Sequence, residues 1–433
     1  MSKQFSSPPL TFDCAFESGN IGKVVRTETN AYDIYIRPDT YQEKWRLWFY
    51  FRVTGVRAGE SVCFSIMNIN KKATAYRLGM SPIVRSTSRP KWERIPEKYC
   101  FNYTDPRGKA KNPIVSFLFK FDNERDEYFF AFCYPYTYSM LQRFLSRVTA
   151  AGLPYFHRAE LTQTLMSKTV DLLTITDPAV DDSGKKVVLI TARVHPGETP
   201  ASFVCHSVIE FLISSGPIPE ALRRAVVFKI VPMMNPDGVY WGNYRTNGLG
   251  HDLNRKYLAP RPDAHPVISA VRRLVRALYM DEALPLPLEP DVVDSTPLEN
   301  AETRLALVVD LHAHSNCTGA FFYYNANKND PVRDAAEKAY PTIVGRLSRP
   351  FAAGCVRAST DSGKDGTMRR TLENLLEPSP FTYTCEVSCF GGLLDGTTSG
   401  RKEVYTPDSY MQIGRDLMVG LAEYLSLDVS GRS

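Results

Sequence analysis

An α/β body preceded by an antiparallel β-sandwich is the fold class this sequence predicts, and three observations predict it. The chain has 433 residues, above the roughly 250–300 at which a single core stops growing, so two domains are expected. Residues 1–150 are dominated by short β-rich runs broken by turns. From residue 151 onward strands and helices alternate, which calls for a mixed, mainly parallel sheet with helices on both faces. The domains are therefore placed at 1–150 and 151–433.

The elements justify this in order. "YDIYIRPDTY", "KWRLWFYFRVTGV", "SVCFSIMNIN" and "NPIVSFLFKFDNERDEYFFAFCYPYTY" alternate and break at turn residues, as sandwich strands do. "YSMLQRFLSRVTAAGL" reads as a helix leading out of the first domain. Strand "KKVVLITARV" precedes helix "ASFVCHSVIEFLISS", and strand "RAVVFKIVPMM" follows. After a polar loop come helix "HPVISAVRRLVRALYM", strands "RLALVVDLHAH" and "FTYTCEVS", and a closing helix "SYMQIGRDLMVGLAEYLSL". "DEALPLPLEPDVVDSTPLENAETR", rich in proline and acid, reads as a surface loop with some disorder. No internal repeat is present.

Composition excludes several classes. Hydrophobic content of 43% and charge of 23% are globular values. The net charge of +5 is spread along the chain with no basic tract, so no nucleic-acid partner is expected. Nine cysteines lack paired spacing, which fits reduced thiols in an intracellular protein. "MSKQFSSPPL" has no apolar core of a secretory signal. No apolar run reaches the roughly 18 residues of a spanning helix, so no membrane partner is expected.

Chemistry gathers at strand ends, where α/β sheets build their sites. The strand in "KVVLITARVHPGETPAS" gives way to His195 and Glu198 across a Pro-Gly turn. An imidazole and a carboxylate at one point suit Zn²⁺. A third ligand is available from "VVDLHAHS", whose His312 and His314 share a face by the two-residue period. "NPDGVYWGNYRTNGLGHDLNRKY" offers Arg245, Asp252, Asn254 and Arg255 in one polar segment. Arginine forks hold carboxylates, and an aspartate beside a ligating histidine fixes its tautomer. Glu386 lies late in the apolar run "FTYTCEVSCFGG", where an acid is costly unless paired or functional. A half-buried carboxylate beside a metal is what a general base requires.

These motifs resemble the M14 zinc metallocarboxypeptidases, and within them the cytosolic carboxypeptidase branch. The resemblance is carried by "FESGNIGKV", "LGMSPIVRSTSRPKWERIP" and "FCYPYTYSMLQRFL" in the first domain. In the second it is carried by "ARVHPGETPASFVC", "PMMNPDGVYWGNYR", "DLNRKY", "DLHAHS" and "CEVS". It implies a carboxypeptidase-like fold and one Zn²⁺ per chain, held by His195, Glu198 and His312, with His312 chosen over His314. It implies that Glu386 is the general base and that Arg245 polarises the scissile carbonyl. Asn254 and Arg255 would grip the substrate's terminal carboxylate, and Asp252 would support the first histidine. "GKDGTMRR" matches the segment that carries a basic specificity residue in this branch, so Arg369, or failing it Arg370, would meet an acidic side chain. Two departures stand out: Met368 where a small residue is usual, and Cys385 where leucine is usual.

The implied activity is removal of C-terminal glutamates from polyglutamylated tubulin or other acidic tails. The implied place is the cytoplasm, with microtubules, basal bodies and cilia or flagella as sites of association. Two rivals are a zinc amidohydrolase of small acylated amino acids and a catalytically silent microtubule-binding module. "STDSGKDGT" is a failed P-loop: Ala358 stands where the first glycine belongs and Asp365 where Ser or Thr would follow Lys364, so no nucleotide site is expected.

Overall fold

The computed structural model describes residues 9–70, 74–104, 113–289, 291–327, 329–351, 355–358, 362–393 and 402–428. They form two compact units. The first comprises Met1–Thr137 with Gly238–His251 and Ser315–Cys317; the second comprises Tyr138–Asp237, Asp252–His314 and Thr318–Ser433.

In the first unit two five-stranded sheets face each other. One runs Thr11–Asp13, Tyr50–Thr54, Tyr128–Ala131, Ile83–Ser86, Glu93–Arg94; the other runs Lys23–Glu28, Ala31–Tyr35, Ser61–Ile66, Ile114–Lys120, Cys100–Tyr103. Neighbours are antiparallel except Ala31–Tyr35 beside Ser61–Ile66. Alternation decides what is buried: in Ser61–Ile66 the inward residues are Val62, Phe64 and Ile66. Phe64 meets Phe51 and Phe130 of the opposite sheet with ring centroids at 6.2 and 5.2 Å. Burying each such ring stabilises the sandwich by about 1.5–3 kcal/mol.

The helix Tyr138–Ala150, which the sequence assigns to the end of the first domain, clusters with the second unit. Its buried Phe144 stacks on His206 at 3.7 Å, and Gln142 donates to Asp171.

The second unit is built on an eight-stranded mixed sheet, in the order Phe156–Gln163, Thr169–Ile175, Val226–Val231, Lys186–Ala192, Leu305–His314, Phe381–Ser388, Ala320–Tyr324, Val356–Ala358. The four middle strands, from Val226–Val231 to Phe381–Ser388, are parallel. Strands of a parallel sheet are covered on both faces, so Lys186–Ala192 reads as a nearly unbroken apolar run. Helix Pro266–Met280 buries Ile268, Val271 and Leu274 in one cluster with Leu189, Val227 and Val308. Helices Thr199–Ile213 and Pro407–Tyr424 cross at Gly414, where an added Cβ would meet Val204 O at 2.5 Å. No single helix among the described residues is long and apolar enough to cross a membrane.

Among the helices the sequence reading does not place are Pro217–Ala225 and Pro331–Leu347, which carries Pro341 inside it. Within the proline-rich segment 281–304, the described residues include the short strand Leu298–Glu299, paired in parallel with Leu376–Glu377. Leu288 is buried, its N–H donates to Leu161 O, and its carbonyl accepts from Thr162 Oγ1.

Candidate functional site

Strand Lys186–Ala192 has the strand that follows it, Val226–Val231, on one side and Leu305–His314 on the other. The connection therefore reverses direction beside Lys186–Ala192, and the crevice beyond the carboxyl ends at such a switch point is where α/β sheets bind ligands. His195 and Glu198 follow this strand, and His312 lies two residues before the end of its neighbour Leu305–His314. The turn between them is braced by Arg193, a buried residue in the left-handed region at φ 63°. That conformation costs about 1–2 kcal/mol for a residue with a side chain. Arg193 Nε donates to Pro196 O at 2.7 Å and Nη1 to Ser202 Oγ at 2.8 Å, which holds the turn in place. Glu198 then serves as the residue preceding helix Thr199–Ile213.

His195, Glu198 and His312 are buried, and one ligand atom from each lies within 4.8 Å of the others. Each imidazole turns Nδ1 to Glu198, His195 at 2.8 Å and His312 at 2.9 Å. Each turns Nε2 to an aspartate: His195 to Asp252 at 3.2 Å, His312 to Asp310 at 2.7 Å. Thr191 Oγ1 in turn donates to Asp310 at 2.8 Å. His314 is not part of the group, although it shares the strand face.

Three carboxylates around two imidazoles make a place for positive charge. Burial pulls the His312 pKa down, but the charge of Asp310 and its contact, then Glu198, outweigh it and push it well above the usual value. Burial pushes Glu198 up, and His195 and His312 outweigh that and hold it well below the carboxylate range. Two nitrogens and a carboxylate converging at a site that favours a cation fit Zn²⁺, and the two aspartates are the outer partners such histidines need.

Glu386 pairs in register with His312 on the adjacent parallel strand. Its Oε2 is buried without a hydrogen-bond partner, a costly state for a carboxylate oxygen that Glu337 Oε2 and Glu373 Oε2 share. Its neighbour Cys385 is fully buried, and burial pushes its thiol up, so this departure from leucine adds no reactive group.

Asp252 caps the short helix Leu253–Arg255 by accepting from Asn254 N–H at 3.1 Å. Asn254 Nδ2 sits 3.3 Å from His312 Nε2, and its Oδ1 accepts from Met368 N–H at 3.3 Å. The "GKDGTMRR" segment packs directly on this loop. Tyr257 N–H donates to Gly366 O at 3.1 Å, and an added Cβ on Gly366 would meet Arg255 O at 2.6 Å. Met368 is fully buried against Thr191, so it fills core rather than an open pocket.

Arg369 is 2% exposed and donates to Tyr324 O at 2.9 Å and to Asn325 Oδ1. Burial, then the like charge of Arg370, pull its pKa down to about 10. The Arg370 side chain is 24% exposed and lies 3.6 Å from Asp365. Arg245 belongs to the first unit, with its guanidinium 5.0 Å from the Trp45 ring centroid.

Sequence reasoning did not single out Asp310 or Arg193. Asp310 had a readable signal, since it lies two residues before His312 on the same strand face. Arg193 had only a weak one, a cation at the end of an apolar strand.

Residues 143–396 match the zinc carboxypeptidase family of M14 peptidases, and residues 12–125 match the cytosolic carboxypeptidase N-terminal domain. The chain belongs to the zinc carboxypeptidase family and is a metallocarboxypeptidase, a peptide hydrolase. It is 42% identical to cytosolic carboxypeptidase 6 of Mus musculus over 97% of this chain and 74% of that protein. It is 41% identical to the Homo sapiens protein of the same name, over 97% and 79%. The fold matches a metallo-carboxypeptidase from Burkholderia cenocepacia with a TM-score of 0.77, 22% identity, and coverage of 96% and 99% of the two chains.

Proposed function

We propose that this chain is a cytosolic zinc metallocarboxypeptidase that removes C-terminal glutamates from polyglutamylated proteins, tubulin among them. The observation that carries the reading is the convergence of His195, Glu198 and His312 next to a strand whose Glu386 holds an unpartnered buried oxygen. A Zn²⁺ held by the three supplies Lewis acidity and makes water a stronger acid. Glu386 takes a proton from the attacking water and delivers it to the leaving amine. Arg245 stabilises the charge that develops on the carbonyl oxygen, a contribution of about 2.7–4 kcal/mol for one donor of this kind. Asn254 and Arg255 bind the free terminal carboxylate, which confines cleavage to chain ends. The names of the relatives support a cytosolic location. Association with microtubules, basal bodies and cilia or flagella belongs to the same proposal and follows from the tubulin substrate it names.

Specificity for glutamate rests on the "GKDGTMRR" segment. Its contact with the Asn254–Arg255 loop supports its membership of the substrate pocket. A glutamate side chain in a desolvated pocket needs a paired cation, and losing one partner of such a pair costs about 2–5 kcal/mol. Arg369→Ala is expected to lower kcat/KM for a glutamate-ended peptide at least about tenfold more than for a leucine-ended one. The ratio of the two specificity constants is the measurement. A collapsed ratio in Arg370→Ala, with Arg369→Ala unchanged, moves the role one residue along. No change in either variant removes the segment from the pocket.

A further inference from the structure

Asp39 is 2% exposed, and its carboxylate is filled by one short stretch of chain. It accepts from Tyr244 N–H at 2.6 Å, Arg245 N–H at 2.7 Å, Thr246 N–H at 2.9 Å and Thr246 Oγ1 at 3.1 Å. Three successive amides aimed at one anion form a nest, and bonds to an ionised acceptor are about twice as strong as neutral ones. Burial pushes the Asp39 pKa up, and these same bonds pull against it. The same small loop holds the arginine a second time. Asp39 N–H donates to Trp45 O at 3.0 Å, and the Trp45 ring lies under the Arg245 guanidinium. Next to Asp39, Thr40 N–H and Oγ1 both donate to Asn243 Oδ1, at 3.2 and 3.1 Å. The segment Asn243–Thr246 is thus clamped at four consecutive residues by side chains and backbone of the N-terminal strands' loop.

A turn that served only to connect elements would leave such amides to water. Here a buried charge is committed to them, and the residue at the centre is Arg245. We propose that Asp39 is a positioning residue for Arg245. The proposal rests on the role given to Arg245 above. A donor to a transition-state oxygen must be placed closely, and a shift of 1 Å can cost about a hundredfold in rate. Without the Asp39 carboxylate the three amides lose their acceptor, the backbone of Arg245 relaxes, and the guanidinium follows. Substrate binding through Asn254 and Arg255 is not touched, so the loss falls on kcat.

The test is a double-mutant cycle on the full zinc-loaded chain with a peptide ending in several glutamates. The variants are Asp39→Ala, Asp39→Asn, Arg245→Ala and the pair Asp39→Ala with Arg245→Ala. Zinc content and thermal midpoint are measured for each. Asp39→Ala is expected to lower kcat by about 10–100-fold with KM changed less than about threefold. Asp39→Asn keeps one acceptor oxygen and sets an NH₂ against the amides, so its loss is smaller but in the same direction. In the Arg245→Ala background, Asp39→Ala should cost less than about twofold. Equal losses in both backgrounds, or unchanged kcat in both Asp39 variants, overturn the proposal and leave the role of Arg245 standing. Wild-type kcat in Arg245→Ala sinks that role and the proposal with it. Should Asp39→Ala fail to fold, Asp39→Asn takes its place in the same cycle and decides between these outcomes.

Discussion

Glu386→Gln is expected to lower kcat by about 10²–10⁴-fold, the range a positioned proton acceptor contributes, while peptide affinity and zinc content stay near wild type. The amide keeps the shape of the side chain but cannot take a proton from water. His195, Glu198 and His312 are untouched, as are Asn254 and Arg255, so the ground-state complex still forms. The wild-type carboxylate has a buried oxygen without a partner, placed in register with His312 on the adjacent strand. Loss of a purely structural acid would lower stability before rate. Glutamate release gives kcat, calorimetric titration of the peptide gives affinity, and near-normal turnover in the variant would remove Glu386 from the reaction.

His312→Ala is expected to strip the metal and abolish turnover, whereas His314→Ala is expected to keep a full equivalent of zinc. The two histidines share a strand face, but only His312 closes the group around Glu198. Asp310→Ala is the intermediate case. It leaves the three ligands and removes the partner 2.7 Å from His312 Nε2, so zinc affinity should fall by about 10–100-fold. Competition with a chromophoric chelator measures all three. Loss of zinc in His314→Ala, with retention in His312→Ala, would show that the wrong histidine has been assigned.

The second unit was legible because its strands are buried on both faces. "KKVVLITARV", "RAVVFKIVPMM" and "RLALVVDLHAH" are apolar runs long enough to stand out, and a polar residue at their ends is conspicuous. That is why His195, Glu198, the pair His312 and His314, and Glu386 stand out in the sequence, whereas the choice of His312 over His314 came only from the family resemblance. Helix Pro331–Leu347 was not legible, because Pro341 interrupts its pattern and its buried residues are few. Helix Tyr138–Ala150 was read correctly as a helix and given to the first domain. Its attachment depends on Phe144 meeting His206, a contact between residues 62 apart in sequence that no local pattern encodes.

The site divides along the same line. The ligand pair across Pro196-Gly197 is local, and the period-two rule extends it to a strand end. The clamp of Asp39 on Arg245 spans 206 residues, and nothing around "RPDTYQ" marks it. Cys385 and Met368 stand in the sequence as departures from the family pattern. Both are fully buried, where size and apolarity are all that count.

The central claim is that this chain trims glutamates from acidic tails, and the mass spectrum of polyglutamylated tubulin tails before and after treatment tests it most directly. The account predicts stepwise loss of single glutamate residues from the side chains, with none in the presence of the Glu386→Gln variant. An unchanged tail spectrum from a zinc-loaded enzyme that still hydrolyses leucine-ended peptides or small acylated amino acids would contradict it.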